Sequence, residues 1–170
     1  MSTSETASPS WRLGPAARFL VYGLIGISVE CLFSSVMDLA TGSGDLRLRG
    51  YSYLWMHPIW GGSVLLGERL ALVMRRHGLG VVTRGFVYML VCFALEYVAG
   101  AVLVALIGRC PWDYTVSPWN VHGLIRLDYA PFWALCGLAG ESVCQLVRRV
   151  RIHAVEVHPV HPVSPPSRTS

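Results

Sequence analysis

The chain has 170 residues, of which 53% are hydrophobic and only 14% charged, and its mean hydropathy is positive. That balance lies outside the usual range of soluble domains and points to the membrane. Every basic side chain except histidine is arginine, and the absence of lysine excludes a phosphate-loop ATPase motif and any Schiff-base mechanism.

Residues 1–17 open with a Ser-, Thr- and Pro-containing stretch that cannot build a core, and a disordered tail is expected there. A first apolar stretch covers about 18–40. It is long enough to cross the hydrocarbon, which takes about 20 residues in a helix. A signal peptide would have a shorter apolar core, whereas this stretch runs full length and carries Glu30, so it reads as retained. Three more such stretches follow, at about 52–74, 86–108 and 129–147, and inside a bilayer each must satisfy its backbone as a helix. Residues 148–170 are basic and then rich in proline and histidine, with His153, His158 and His161, and a second disordered tail is expected. The expected fold is an all-α integral membrane protein, with a four-span domain over 18–147.

Arg12, Arg18, Arg75, Arg76, Arg84, Arg148, Arg149 and Arg151 fall in or beside the N-terminal tail, the second loop and the C-terminal tail. On the other side, Arg47, Arg49, Arg109 and Arg126 are offset by Asp45, Asp113 and Asp128. The positive-inside rule then places both termini in the cytoplasm, and the formal charge of +4 calls for no nucleic-acid partner. The exclusive use of arginine fits a GC-rich genome and hence a bacterial inner membrane.

The chain also matches itself. Arg18, Val21, Tyr22, Leu24 and Glu30 recur at the same spacing as Arg84, Val87, Tyr88, Leu90 and Glu96. Pro58, Trp60, Leu65, Gly67, Glu68, Arg75 and Arg76 recur as Pro131, Trp133, Leu138, Gly140, Glu141, Arg148 and Arg149. The reading is a helical hairpin used twice in tandem with the same orientation, giving a pseudo-two-fold axis along the membrane normal.

Each span carries one glutamate, and a charged side chain at mid-bilayer costs on the order of 2.5–3.5 kcal/mol on an insertion scale. With a rise of about 1.5 Å per residue, Glu30 and Glu96 lie ~18 Å from Arg18 and Arg84, whereas Glu68 and Glu141 lie only ~10 Å from Arg75 and Arg148. Two layers of carboxylates result. Tyr22, Gly26, Glu30 and Ser34 share one helical stripe, as do Tyr88, Cys92, Glu96 and Gly100, and these faces should point inward. Gly61, Gly62, Ser63, Gly67, Gly137 and Gly140 are expected to let backbones approach closely. Two readings stay open for Glu30, Glu68, Glu96, Glu141, Tyr22 and Tyr88. They form a centre that binds a cation, a proton or a lipid head group, or the glutamates, neutral or paired with Arg69, only hold helices together. Cys31, Cys92, Cys136 and Cys144 lie in spans and Cys110 outside them, so no disulfide framework is expected. No cofactor or metal signature is read.

Between the third and fourth spans the chain reads CPWDYTVSPWNVHGLIRLDYAPFW, dense in interfacial aromatics. Asp113 either caps a local turn or joins His122 and Asp128 around an outward-facing pocket. His57 is expected where the second span enters the head groups, and Pro58 and Pro131 in the first turns of their helices. The segment Cys110-Pro111-Trp112-Asp113-Tyr114, followed by Gly123-Leu124-Ile125, Leu127, Tyr129-Ala130 and Trp133, resembles the transmembrane protein 229 family of animals and its bacterial relatives described as type IV ABC-transporter proteins. Trp55, Gly61, Ser63, Glu68 and Arg69, with Glu30, Phe33, Glu96 and Gly100, extend the likeness over about 19–147. Thr115 stands where that family usually has serine, and the order Ala130-Pro131-Phe132-Trp133 differs slightly from the animal members. The resemblance implies a small four-span membrane protein and marks Trp112, Asp113, Tyr114 and Gly123 as motif residues; it carries no catalytic assignment.

The expected function is a permease-like transport component, working as a homodimer or with a partner membrane protein, and with any ATPase on a separate chain. The alternatives are an intramembrane lipid-modifying enzyme, against which the lack of a recognisable nucleophile or metal set counts, and an assembly adapter.

Overall fold

The computed structural model describes residues 10–41 and 46–153. Four long helices dominate: α1 (Pro15–Ala40), α2 (Met56–Arg76), α3 (Val81–Ile107) and α4 (Ala130–Arg149). Short strands accompany them, β1 (Ser10–Arg12), β2 (Asn120–Val121), β3 (Ile125–Arg126) and β4 (Arg151–His153), and a single 3₁₀ turn, Leu127–Tyr129, leads into α4.

α1 and α3 begin alike. An extended glycine, Gly14 or Gly80, caps each, and Pro15 fills the first helical position of α1, where a missing N–H costs nothing. α3 ends at Gly108, whose φ of +76° is the left-handed turn that suits glycine, and its N–H closes on the Val104 carbonyl at 2.9 Å. Both helices are apolar around their whole circumference, the pattern of a helix facing lipid or core on every side. α2 and α4 are amphipathic and end on the pairs Arg75–Arg76 and Arg148–Arg149.

Among the described residues three helical segments are long and apolar enough to cross a membrane: Pro15–Ala40, Val81–Ile107 and Leu127–Arg149. The stretch expected as the second span forms the 21-residue α2, which carries His57, Glu68 and Arg69 and is not among those three. It starts at Met56 rather than 52, because Tyr51 and Ser52 are drawn onto α1: the Tyr51 N–H bonds Ser34 Oγ at 2.9 Å, and Ser52 Oγ donates to Glu30. The N-terminal tail also differs from expectation. Within the residues expected as a tail, Ser10–Arg12 form β1, which pairs antiparallel with β4, Trp11 facing Ile152, and α1 starts three residues before 18. This ribbon brings the start of α1 beside the exit of α4. His153 belongs to it; His158, His161 and the proline-rich stretch lie outside the described residues.

α1 packs on α2 and α3 on α4. Gly26 makes the first pairing possible, since a Cβ there would sit 2.1 Å from Trp60 Cγ. Gly61 meets the Phe19 carbonyl and ring, and Gly23 takes the His57 imidazole, so His57 packs against a helix instead of simply marking the head-group level. In the second pair Gly137 receives Tyr88, whose Cβ would lie 2.3 Å from an added methyl. Gly62, Gly67 and Gly140 have open space around them and are not close-approach points.

Two small buried clusters cross between the pairs. Tyr22 of α1 packs with Cys144 and Val147 of α4, and Tyr88 of α3 packs with Ala71 and Met74 of α2. Leu20, Leu24 and Leu32 on α1, and Phe86, Val98 and Leu106 on α3, remain exposed, the surface a bilayer would cover.

Candidate functional site

The four helix glutamates separate into two environments. Glu68 and Glu141, 3% and 5% exposed, sit in ionic clusters of the same design. Arg18 donates to Glu68 through Nε at 3.1 Å and Nη2 at 3.2 Å, while its Nη1 bonds the Leu13 carbonyl at 2.7 Å. Tyr22 donates its hydroxyl to the same carboxylate at 2.7 Å. At Glu141, Arg84 donates through Nε at 2.9 Å and bonds the Leu79 carbonyl at 2.8 Å, and Tyr88 donates at 2.8 Å. Each cluster is completed from the facing hairpin: Arg75 at the end of α2 donates to Glu141, and Arg148 at the end of α4 approaches Glu68 at 4.0 Å.

Arg69, offered by the sequence as the glutamates' partner, is exposed; arginines counted there as flanks take that place. The exchange follows from direction. Arg18 and Arg84 stand one turn before Tyr22 and Tyr88, so both side chains fall on the face that meets the facing glutamate. With two arginines around each carboxylate, each cluster pairs its one acidic charge and keeps a net positive charge, and its bonds run between helices.

Glu30 and Glu96 lie elsewhere. They line one cavity of about 490 Å³, which extends from the middle of the helices to the first and third loops. That volume falls within the roughly 300–1,000 Å³ typical of small-molecule sites. Glu30 is saturated by donors, accepting from Ser52 Oγ on one oxygen and from Trp60 Nε1 at 2.8 Å on the other. Glu96 accepts from the Tyr114 hydroxyl at 2.9 Å on Oε1, but its buried Oε2 has no hydrogen-bond partner among the described residues, and neither has the buried Trp133 Nε1. Asp38 and Asp113 also line the cavity, and no arginine does among the described residues.

The third loop explains its own motif. Trp112 donates Nε1 to the Leu124 carbonyl at 2.9 Å and lies against Gly100, pinning the loop to α3. Asp113 Oδ1 accepts the Thr115 N–H at 2.9 Å, the turn-forming arrangement common for Asp, and that bond holds its carboxyl below the usual range. Tyr114 then reaches Glu96, and burial pushes its hydroxyl pKa up. β2 and β3 turn through His122 and Gly123, both at positive φ, with Leu124 N–H bonding the Val121 carbonyl at 3.0 Å. A Cβ on Gly123 would come 2.7 Å from Thr115 Cγ2.

Asp113, His122 and Asp128 do not converge. His122 Nδ1 pairs with the Tyr97 hydroxyl at 2.9 Å, and Asp128 is held by Arg126, whose Nη2 donates at 2.8 Å. Of that trio only Asp113 lines the cavity. Trp112→Phe removes the bond to Leu124 and is expected to cost about 1 kcal/mol, read as an earlier unfolding midpoint in detergent.

The sequence matches the family described as "putative ABC-transporter type IV" over residues 17–160, and the chain belongs to that family. No solved structure matches it. It is thus a transporter-related membrane protein with at least three helices apolar enough to span a bilayer.

Proposed function

We propose that the chain is a permease-like transport component that crosses the membrane four times, with both ends cytoplasmic, and holds its ligand at Glu30 and Glu96. The observation that carries this reading is the cavity: two carboxylates on the inner faces of α1 and α3, in space large enough for a small solute. A cation, a proton or the polar head of a lipid suits such a centre.

Support for the fourth crossing comes from α2 itself. Its 21 residues span about 32 Å at 1.5 Å each, close to the roughly 30 Å of hydrocarbon. Its one glutamate is paired, and the pairing of β1 with β4 at the two described ends supports an even number of crossings. The matching of Arg18, Tyr22 and Glu68 by Arg84, Tyr88 and Glu141 supports two copies of one hairpin. Kinship with the animal transmembrane protein 229 family rests on the motif from Trp112 to Tyr114. The family description fits a membrane subunit whose ATPase, if ATP drives it, is a separate chain. A homodimer or a partner membrane protein would complete so small a permease.

Topology is read by labelling single introduced cysteines in intact cells with a membrane-impermeant maleimide, in a background in which Cys31, Cys92, Cys110, Cys136 and Cys144 are all replaced by serine or alanine. Val116→Cys, at a position 94% exposed in the third loop, should react, and Gly78→Cys in the second loop should react only after lysis. Equal reaction of Gly78→Cys from outside would remove the four-span reading. Native mass spectrometry of wild type beside Glu30→Gln/Glu96→Gln tests the site. A ligand lost from the double variant with its assembly state unchanged supports it. Collapse of the assembly with nothing retained by wild type would put an adapter in its place.

A further inference from the structure

The cavity is acidic and aromatic, and those two properties select a ligand chemistry. Its lining includes Glu30, Glu96 and Asp113, with no arginine among the described residues, so an anionic ligand would meet like charge there. A bare metal ion or a proton would leave most of the space unused, whereas the walls offer broad aromatic faces. They carry the rings of Trp60, Trp112 and Trp133, together with Phe33, Tyr129 and Phe132. Aromatic faces attract cations through their quadrupole and are the usual lining for quaternary ammonium groups.

Among the described residues Glu30 and Glu96 accept from neutral groups alone, Ser52 and Trp60 at one and Tyr114 with the adjacent Trp133 indole at the other, whereas Glu68 and Glu141 have arginines. Glu96 is the less tightly held of the two, since the Trp133 N–H faces it without a well-formed bond to Oε2. The positive charge of a ligand is therefore placed beside Glu96, where no arginine supplies one, and its apolar body fills the space among the rings.

We propose that the cavity binds an organic ammonium cation, its nitrogen beside Glu96 and its apolar part against the tryptophan rings. The inference rests on the reading of the cavity as a ligand site and names its ligand class. The ammonium has two sources, a free amine or the head group of a choline or ethanolamine phospholipid.

The test uses the full chain in phosphatidylglycerol nanodiscs and three probes of one shape: benzyltrimethylammonium, its uncharged carbon isostere neopentylbenzene, and the anion benzylsulfonate. Binding is followed by tryptophan fluorescence and calorimetry. Benzyltrimethylammonium should bind at least tenfold more tightly than either other probe, and Glu96→Gln should weaken it at least tenfold. The comparison of probes on wild type needs no variant and stands even if Glu96→Gln fails to fold.

Nanodiscs doped with phosphatidylcholine or phosphatidylethanolamine separate the sources by native mass spectrometry. Selective retention of these lipids over phosphatidylglycerol, lost in Glu96→Gln, assigns the ammonium to lipid; its absence alongside probe binding assigns it to a free amine. Equal or tighter binding of neopentylbenzene or benzylsulfonate overturns the cation assignment and leaves the cavity standing as a ligand site. Binding of no probe and no lipid by folded wild type overturns both.

Discussion

Glu141→Leu should lower the stability of the protein by about 3–5 kcal/mol, the loss expected when one member of a buried ion pair is removed. The carboxylate is 5% exposed and accepts from Arg84, Arg75 and Tyr88 together. Without it the Arg84 guanidinium, whose side chain is only 17% exposed, keeps its charge and loses its counter-ion, whereas Arg75, 47% exposed, can turn to water or lipid phosphate. Arg84→Met added to Glu141→Leu should therefore restore much of the loss, because replacing both partners by apolar groups is often neutral. Unfolding in mixed detergent micelles measures both. If the double variant is as unstable as the single one, the penalty does not come from a stranded charge and the account of the cluster is wrong.

Gly26→Ala should be strongly damaging, because the added methyl falls in the α1–α2 contact. The new Cβ would meet Trp60 at 2.1 Å from Cγ and 2.4 Å from Cβ, atoms too near the α2 backbone to swing aside. Either α2 moves away from α1, or Trp60 changes rotamer and gives up its 2.8 Å bond to Glu30. Overpacking of this kind costs about 1–3 kcal/mol, and loss of the indole donor should also weaken whatever the cavity binds. Gly62→Ala is the control. It adds the same methyl to α2 where nothing lies within 4 Å, and trading a helix-interior glycine for alanine should stabilise by about 0.5–1 kcal/mol. Equal effects at the two sites would refute the packing explanation.

Helix positions were legible in the sequence because length and hydropathy are local quantities, and the sequence spans overlap α1 to α4 closely. The inward stripe from Tyr22 to Ser34 was legible for a related reason: a period near four residues puts rare polar groups on one face. What the stripe touches was not. Arg18 and Arg84 look like flank charges by position alone, and only the crossing of the helices brings them to Glu68 and Glu141. The backbone acceptors that orient them, Leu13 and Leu79, carry no side-chain signal at all. Ser52 was placed inside a helix, since nothing local reveals that Glu30 takes its hydroxyl. The different fates of Glu30 and Glu96 were also hidden, because equal spacing in the sequence says nothing about which loop delivers a donor.

The ionic clusters, the turn between α2 and α3 and the β1–β4 ribbon all fall at one end of the helices, and the cavity occupies the other. The two ends of the bundle are therefore chemically unlike, arginine-rich at one and aromatic and acidic at the other, so substitutions far apart at the two ends should add independently, those at Glu68 or Glu141 reading out in stability and those at Glu30 or Glu96 in binding.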